Sequence, residues 1–325
     1  MIRKLKVKEH KSLTTRVVFK HLNRTIEMNV IKEAIDLDDV YSNDTEKYNS
    51  NNHGNRPSDY FSSIDSCNTC KWVDIFRNDY NIIKIGSVKH LMWLKESSKI
   101  SCQTGIFSKL FDEELQELLD DYKEYNHLFD GTEYFVRTEN VSLKYGQHKT
   151  GPYTNLKMII ESLVSCINGH KPIYEDTIEI VIYLFKWVDI KPYSEFRVFV
   201  YHNNITAISQ QNIYENVFKN VENVNEKIDL YTEIIITYFH DSIRNKINFT
   251  TDRGNFVYDF AIINDDEPYF IEPNTFGKEY ASGSALFHWL IDEKKLYQDP
   301  IEYIYFRYIR PPQFVGNTSK QKEKR

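Results

Sequence analysis

The chain has 325 residues, enough to bury a sizeable core in one large domain or two lobes. A hydrophobic fraction of 41%, with 23 Tyr and 20 Phe, excludes a disordered chain. A net charge of −6 with both signs interspersed excludes a basic face built to neutralise phosphate backbones, so nucleic acid is not an expected partner. No run of about 18 apolar residues occurs, so no membrane span is expected. The start, MIRKLKVKEHKSLTTR, is basic without an apolar stretch and does not read as a secretory signal. A cytoplasmic location and a monomer are expected. Four cysteines, at 67, 70, 102 and 166, do not make a disulfide framework in a chain of this length. Cys67 and Cys70 have metal-ligand spacing, but a tetrahedral site needs two more ligands at matching spacing, and reduced loop thiols are the expectation.

In chain order, residues 1–38 read as an N-terminal extension with a short strand (RVVFKHL) and a helix. Residues 39–66, rich in Asn, Ser and Asp, read as a flexible linker or insertion. An N-terminal lobe follows over 67–150: NDYNIIKIGSVKHLMWLKE gives strand then helix, FDEELQELLDDYKEYNHLF a surface helix, and EYFVRTEN a strand. A C-terminal lobe is expected over 151–310. There NLKMIIESLVSCI is helical, TIEIVIYLFKWVDI is a buried strand, and EFRVFVYHNNITAISQ is a hairpin turning at HNN. A helix over about 221–246 precedes a second hairpin, GNFVYDFAIINDDEPYFIEPN, and 311–325 is a solvated tail. Helices mixed with late antiparallel hairpins indicate an α+β architecture.

Three constellations carry possible chemistry. In the second hairpin Asp259 and Glu272 stand thirteen residues apart about a turn near Asp265 and Asp266, which places them roughly opposite. Alternation puts Glu272 and Asn274 on one face. Two carboxylates and an amide oxygen suit Mg²⁺, which would relieve their repulsion and hold substrate phosphates. On this reading, neutralising either carboxylate leaves the fold intact and relieves repulsion. The same residues also read as ordinary polar groups at a hairpin's open end. In FVRTENVSLKYGQHKTG, Arg137 lies on a strand, and Lys144, Lys149 and two glycines lie in a loop able to wrap phosphates through backbone N–H groups, or to carry plain surface lysines. In YLFKWVDIKPYSEFRVFV, a strand ends at Lys186-Trp187-Val188, and Glu195 and Arg197 then share a strand face. That pattern suits a purine slot with polar contacts to sugar and phosphate, or a surface ion pair.

Taken together these segments resemble an ATP-grasp fold and, more closely, the cell division cycle protein 123 family. The motifs are CKWVDIFRNDYNIIKI, FVRTENVSLKYG, FKWVDIKPYSEFRVFV with ITAISQ, and FVYDFAII…YFIEPNTFG…ALFHW, covering about residues 70–290 in order. The resemblance implies two lobes with antiparallel sheets clamping Mg-ATP. It implies Lys144 as the phosphate lysine and Lys186, Trp187 and Val188 as the adenine hinge. Glu195 and Arg197 become nucleotide contacts, Gln211 a weaker one, and Asp259, Glu272 and Asn274 the Mg²⁺ ligands. The chain departs from the family pattern at several positions. Leu143 and Tyr145 replace a proline and an aspartate, Gln211 an arginine, Glu272 an aspartate, and Thr275 a proline.

The resemblance further implies an ATP-dependent assembly chaperone for translation initiation factor 2, which binds its gamma subunit and promotes joining to the alpha subunit. An ATP-grasp ligase, coupling a carboxylate to an amine through an acylphosphate, is the alternative, and the residues alone do not establish catalysis.

Overall fold

A computed structural model of the chain describes residues 13–21, 24–247, 254–280 and 282–312. In chain order the strands and helices are β1 (Leu13–His21), β2 (Arg24–Ile35), α1 (Leu37–Lys47), α2 (Tyr60–Asp65), α3 (Thr69–Phe76), β3 (Tyr80–Ile85), α4 (Val88–Thr104), α5 (Asp112–Asp121), β4 (Tyr134–Arg137), α6 (Leu156–Ser165), β5 (Ile180–Lys186), β6 (Glu195–Tyr201), β7 (Asn204–Gln210), α7 (Val224–Tyr238), β8 (Phe256–Ile263), β9 (Glu267–Thr275), α8 (Glu293–Leu296) and β10 (Tyr303–Ile309). The tail beyond 312 lies outside the described residues. The chain divides into two units, residues 61–189 and residues 1–60 with 190–325. Both are α+β. The division at 189/190 falls later than the lobe boundary expected at 150/151, because α6 and β5 complete the first core.

In the unit of residues 61–189, the sheet has the order β3-β5-β4 with both pairings antiparallel. Alternation sends Ile83, Ile85, Val136, Ile182 and Leu184 to one face, where Leu94 of α4, Leu118 of α5 and Ile159, Ile160 and Leu163 of α6 enclose them in one apolar cluster. The other face carries Tyr183 and Phe185, on which Tyr80 and Trp72 pack, with Arg77 over the Phe185 ring. Cys67 lies just before α3 and Cys70 in its first turn. Cys70's N–H donates to Glu139, whose other oxygen accepts from Tyr183.

The second unit is built on a seven-stranded sheet, β1-β2-β10-β7-β6-β8-β9. Its hairpins are antiparallel, and β10 returns from the end of the chain to lie parallel to both β2 and β7. Residues 24–35, read from sequence as part of an extension, thus form an interior strand of this sheet, and the helix expected there begins only at Leu37. Segment 48–53 is likewise held. Asn49's N–H donates to the Ala285 carbonyl at 2.7 Å, and the Ser50 hydroxyl accepts from the Trp289 N–H at 2.8 Å. The β6–β7 turn takes its left-handed residues from His202 (φ 47°) and Asn203 (φ 59°), as a two-residue hairpin requires.

One sheet face, with Phe196, Tyr258 and Phe260, is covered by Tyr231, Tyr238 and Phe239 of α7 and the turn that follows it. The opposite face carries a single row across six strands: Glu33, Arg307, Ser209, Arg197, Asp259 and Glu272. A strap, residues 282–292, is laid on this row. Gly283 and Leu286 offer carbonyls to Arg197 (2.6 Å) and Arg307 (2.9 Å), and Leu286's N–H donates to Ser209 at 3.0 Å. Phe287 and Trp289 pack against Phe199 beside it.

At the row's far end Arg307 makes two hydrogen bonds to Asp292 (2.6 and 2.7 Å) and one to Glu33 (2.6 Å), which also holds Lys295. Burial alone would raise the Glu33 pKa, but Arg307 and Lys295 hold it below its ordinary value of 4.5. A depressed carboxylate pKa contributes stability above the unfolded-state value, and that stability is lost as pH falls through the folded value. Glu33→Gln is therefore expected to give a shallower loss of stability below pH 4.5 than the parent, measured by urea unfolding across pH. Parallel acid limbs would contradict the ion-pair assignment.

Candidate functional site

All six expected site residues of the larger sheet lie on its strapped face. Gln211, just past β7, stands opposite Glu195, donating its backbone N–H to the Glu195 carbonyl at 3.0 Å. Arg197 pairs in register with Asp259, Asp259 with Glu272, and Val257 with Asn274. The expected pairing of Asp259 and Glu272 depends on a feature that the sequence reading did not include. From the turn outward, Ile263 pairs with Glu267 and Phe260 with Phe270, and this register alone would set Ile271 opposite Asp259. A bulge between Asp259 and Phe260 inserts one residue on β9 and brings Glu272 there instead. A one-residue shift reverses the face of everything beyond it, so this bulge delivers Glu272 and Asn274 to the side of Asp259.

Asp259 is 2% exposed and accepts from Arg197 through both oxygens: Nε to Oδ1 at 2.8 Å and Nη2 to Oδ2 at 2.7 Å. Gln211 (3.3 Å) and Asn274 (3.5 Å) point their amide NH₂ groups at the same Oδ2. Burial opposes the charge on Arg197, but Asp259 beside it overrides that penalty and raises the guanidinium pKa. Arg197 thus spends three of its five N–H donors on Asp259 and on the strap carbonyl of Gly283. It is the counter-ion of Asp259 before it can be a nucleotide contact.

The donor set fits a hard divalent cation. Glu195, Asp259 and Glu272 outweigh Arg197 by two charges. Donating its NH₂ to Asp259 leaves Asn274 its carbonyl oxygen. The side-chain oxygen of Gln211 is buried with no hydrogen-bond partner among the described residues. Among the described residues no three His, Cys, Asp or Glu side chains are grouped for a metal, so amide oxygens and water would have to complete such a shell.

The remaining expected residues lie in the other unit. Lys144 stands exposed on a short 3₁₀ turn, Leu143–Tyr145, with its ammonium 5.6 Å from the Tyr145 ring centre. Tyr145 stacks on His170 at 3.9 Å, and burial together with the Lys144 charge lowers the His170 pKa. The loop after Lys144 differs from the phosphate cradle considered from sequence, because its N–H groups are already bonded. Gly146 donates to Leu143, Gln147 to the Ser165 hydroxyl, His148 to the Ser162 hydroxyl, and Lys149 to Gly146. Gly146 is there for close packing on α6, where a Cβ would collide with the Ser162 carbonyl. That leaves the lysine side chains as the loop's means of meeting an anion.

Lys186 and Trp187 line an open cavity of about 550 Å³ with Phe129, Gly131, Thr132, Glu133 and Thr154, a size ordinary for ligand pockets. Val188 follows them but does not line it. The Trp187 N–H is bonded to the Glu133 carbonyl at 2.9 Å, extending the β4–β5 ladder by one rung, so it is not available to a base. Glu133 and Thr154 carried no sequence signal. They reach the cavity because Tyr134 bridges both Lys186 and Tyr153.

Asp259→Ala strands the buried Arg197 and is expected to cost about 3–5 kcal/mol in urea unfolding. Glu272→Gln removes one of two facing carboxylates and should be neutral or slightly stabilising. This corrects the sequence expectation that either charge can be removed harmlessly. Equal effects of the two variants would contradict the pairing.

Comparison with known proteins adds a lineage. The family model described as D123 matches residues 157–325. Over 123 residues the chain is 32% identical to a translation initiation factor eIF2 assembly protein of Candida albicans, covering 37% of this chain and 33% of that protein. The protein of the same description from Dictyostelium discoideum is 30% identical over 94 residues, covering 29% and 22%. The matched segments thus span a third or less of these curated relatives. Among solved structures, C-terminally truncated Cdc123 from Schizosaccharomyces pombe aligns with a TM-score of 0.53 at 18% identity, over 77% of this chain and 98% of that one, a likeness of fold.

Proposed function

Since the chain belongs to the D123 family, the cell division cycle protein 123 family, we propose that it is an ATP- and Mg²⁺-binding assembly factor for translation initiation factor 2. The relatives' printed descriptions as eIF2 assembly proteins support the assembly role. The observation that carries nucleotide binding is the strapped face, where the β9 bulge turns Glu272 and Asn274 to the side of the Arg197–Asp259 pair.

In this reading Asp259, Glu272 and Asn274 hold the cation, and Arg197 keeps Asp259 ionised and correctly turned. Glu195 and Gln211 border the nucleotide. Lys144 meets phosphate as a single mobile charge, and Lys186, Trp187 and Val188 border the base, with the cavity beside them receiving it. A bound magnesium ion would neutralise phosphate charge. The partner is the gamma subunit, whose joining to the alpha subunit the protein promotes, and it acts in the cytoplasm as a monomer. The ligase alternative shares this nucleotide site but needs an acceptor pocket for a carboxylic acid and an amine.

The test is reconstitution. With Mg-ATP, the purified protein should increase recovery of alpha subunit on immobilised gamma subunit, and Glu272→Gln should remove the increase. Gamma-subunit recovery of alpha unchanged by the protein would refute the assembly role, and ADP release dependent on an added carboxylic acid would favour the ligase.

A further inference from the structure

The short turn that carries Lys144 is met by a second turn, residues 167–170, just after α6. There His170 donates its backbone N–H to the Ile167 carbonyl at 3.1 Å, and Gly169 takes the left-handed φ of 88° that the third position of such a turn requires. The turn sets the His170 ring flat against Tyr145, with ring centres 3.9 Å apart and planes 19° from parallel. Lys144 lies at the same tyrosine, its ammonium 5.6 Å from the ring centre.

The charges here are unbalanced. His148, on the loop after Lys144, and Lys157 of α6 share one carboxylate, that of Glu161, at 2.6 and 3.9 Å. Lys144, Lys149, His170 and Lys171 have no carboxylate partner among the described residues, and neither ring nitrogen of His170 has a hydrogen-bond partner there. Burial holds His170 below its ordinary value of 6.5, and the Lys144 charge presses in the same direction. The imidazole therefore stays neutral while nothing offsets that charge. An anion arriving at Lys144 removes the repulsion and offers an imidazolium an acceptor, so the event that fills the site also charges the ring.

Resting on the reading of Lys144 as the phosphate lysine, we infer that His170 is a second contact for that phosphate, and that it enters as the imidazolium, taking a proton from solvent onto its ring as the anion binds. His148 does not take this part, because its Nε2 is already held by Glu161. The sign of the pH dependence follows. A ring that is more basic in the complex than in the free protein adds its full affinity at low pH, and that gain is lost as pH rises through its value in the complex.

The experiment is calorimetric titration of the full chain with Mg-ATP at about pH 6.5, repeated in buffers of different ionisation enthalpy so that proton uptake is counted. The parent should take up more protons than His170→Phe, which keeps a ring on Tyr145 but cannot be charged. The nucleotide's own phosphate titrates in both and cancels in the difference. At about pH 6 His170→Phe should bind Mg-ATP about 10-fold more weakly than the parent, and at about pH 8.5 the two should match. His170→Arg, which is always charged, should bind more tightly than the parent at about pH 8.5, with no more uptake than His170→Phe. Equal proton uptake in the parent and His170→Phe, or a loss of affinity that does not change with pH, would overturn the inference while leaving Lys144 and the nucleotide site standing. A parent that binds no Mg-ATP would remove the reading on which the inference rests, and the inference with it.

Discussion

The buried ion pair of Arg197 and Asp259 is the constraint on which the larger sheet's polar face depends. A carboxylate that is 2% exposed cannot remain charged without a partner, and Arg197 supplies two parallel hydrogen bonds from the neighbouring strand. With its remaining reach the same guanidinium holds the strap through the Gly283 carbonyl, while Arg307, four strands along the row from Glu272, does the same through Leu286. Two arginines on one face thus fix a loop that has almost no secondary structure of its own. Within the strap so pinned, Phe287 and Trp289 pack against Phe199 of β6.

The two sets of candidate residues differ in physical character. On the strapped face Asp259 is buried and paired with Arg197, and a bulge brings Glu272 opposite it, so that pair's geometry is set before any ligand arrives. Lys144 is exposed beside Tyr145, which stacks on His170, and its loop has spent its N–H groups on α6 and on its own carbonyls. A proposed cation site is therefore rigid here, whereas the proposed phosphate lysine is a single charge on a fixed loop.

Much of this was legible in the sequence, for reasons that separate by distance along the chain. Both hairpins, the helical spacing of 156–165 and the unusually apolar β5 follow from local alternation and propensity. Glu195 with Arg197, and Asp259 opposite Glu272, could be read because they lie on neighbouring strands joined by short turns or on one strand. The bulge at Ile271 could not, since no glycine or other local signal marks it, and the pairing of Asp259 with Glu272 was reached without the distortion that makes it real. Nor was β2 visible as an interior strand, because its partner β10 arrives from more than 250 residues later. Nor was the anchoring of segment 48–53 visible: the Asn49 N–H and the Ser50 hydroxyl bond to the strap, a partner more than 200 residues away. The Arg197–Asp259 pair, 62 residues apart, escaped the sequence for want of any spacing rule across separate hairpins, and with it went the true cost of neutralising Asp259.

The central claim is that the strapped face binds magnesium together with a nucleotide. Calorimetric titration of the full chain with ATP, with and without Mg²⁺, beside the Glu272→Gln variant, tests it most directly. The account predicts heat of binding that requires Mg²⁺ and that Glu272→Gln loses while remaining folded. Binding of equal strength in the parent and in Glu272→Gln, or none in the parent at any Mg²⁺ concentration, would contradict it.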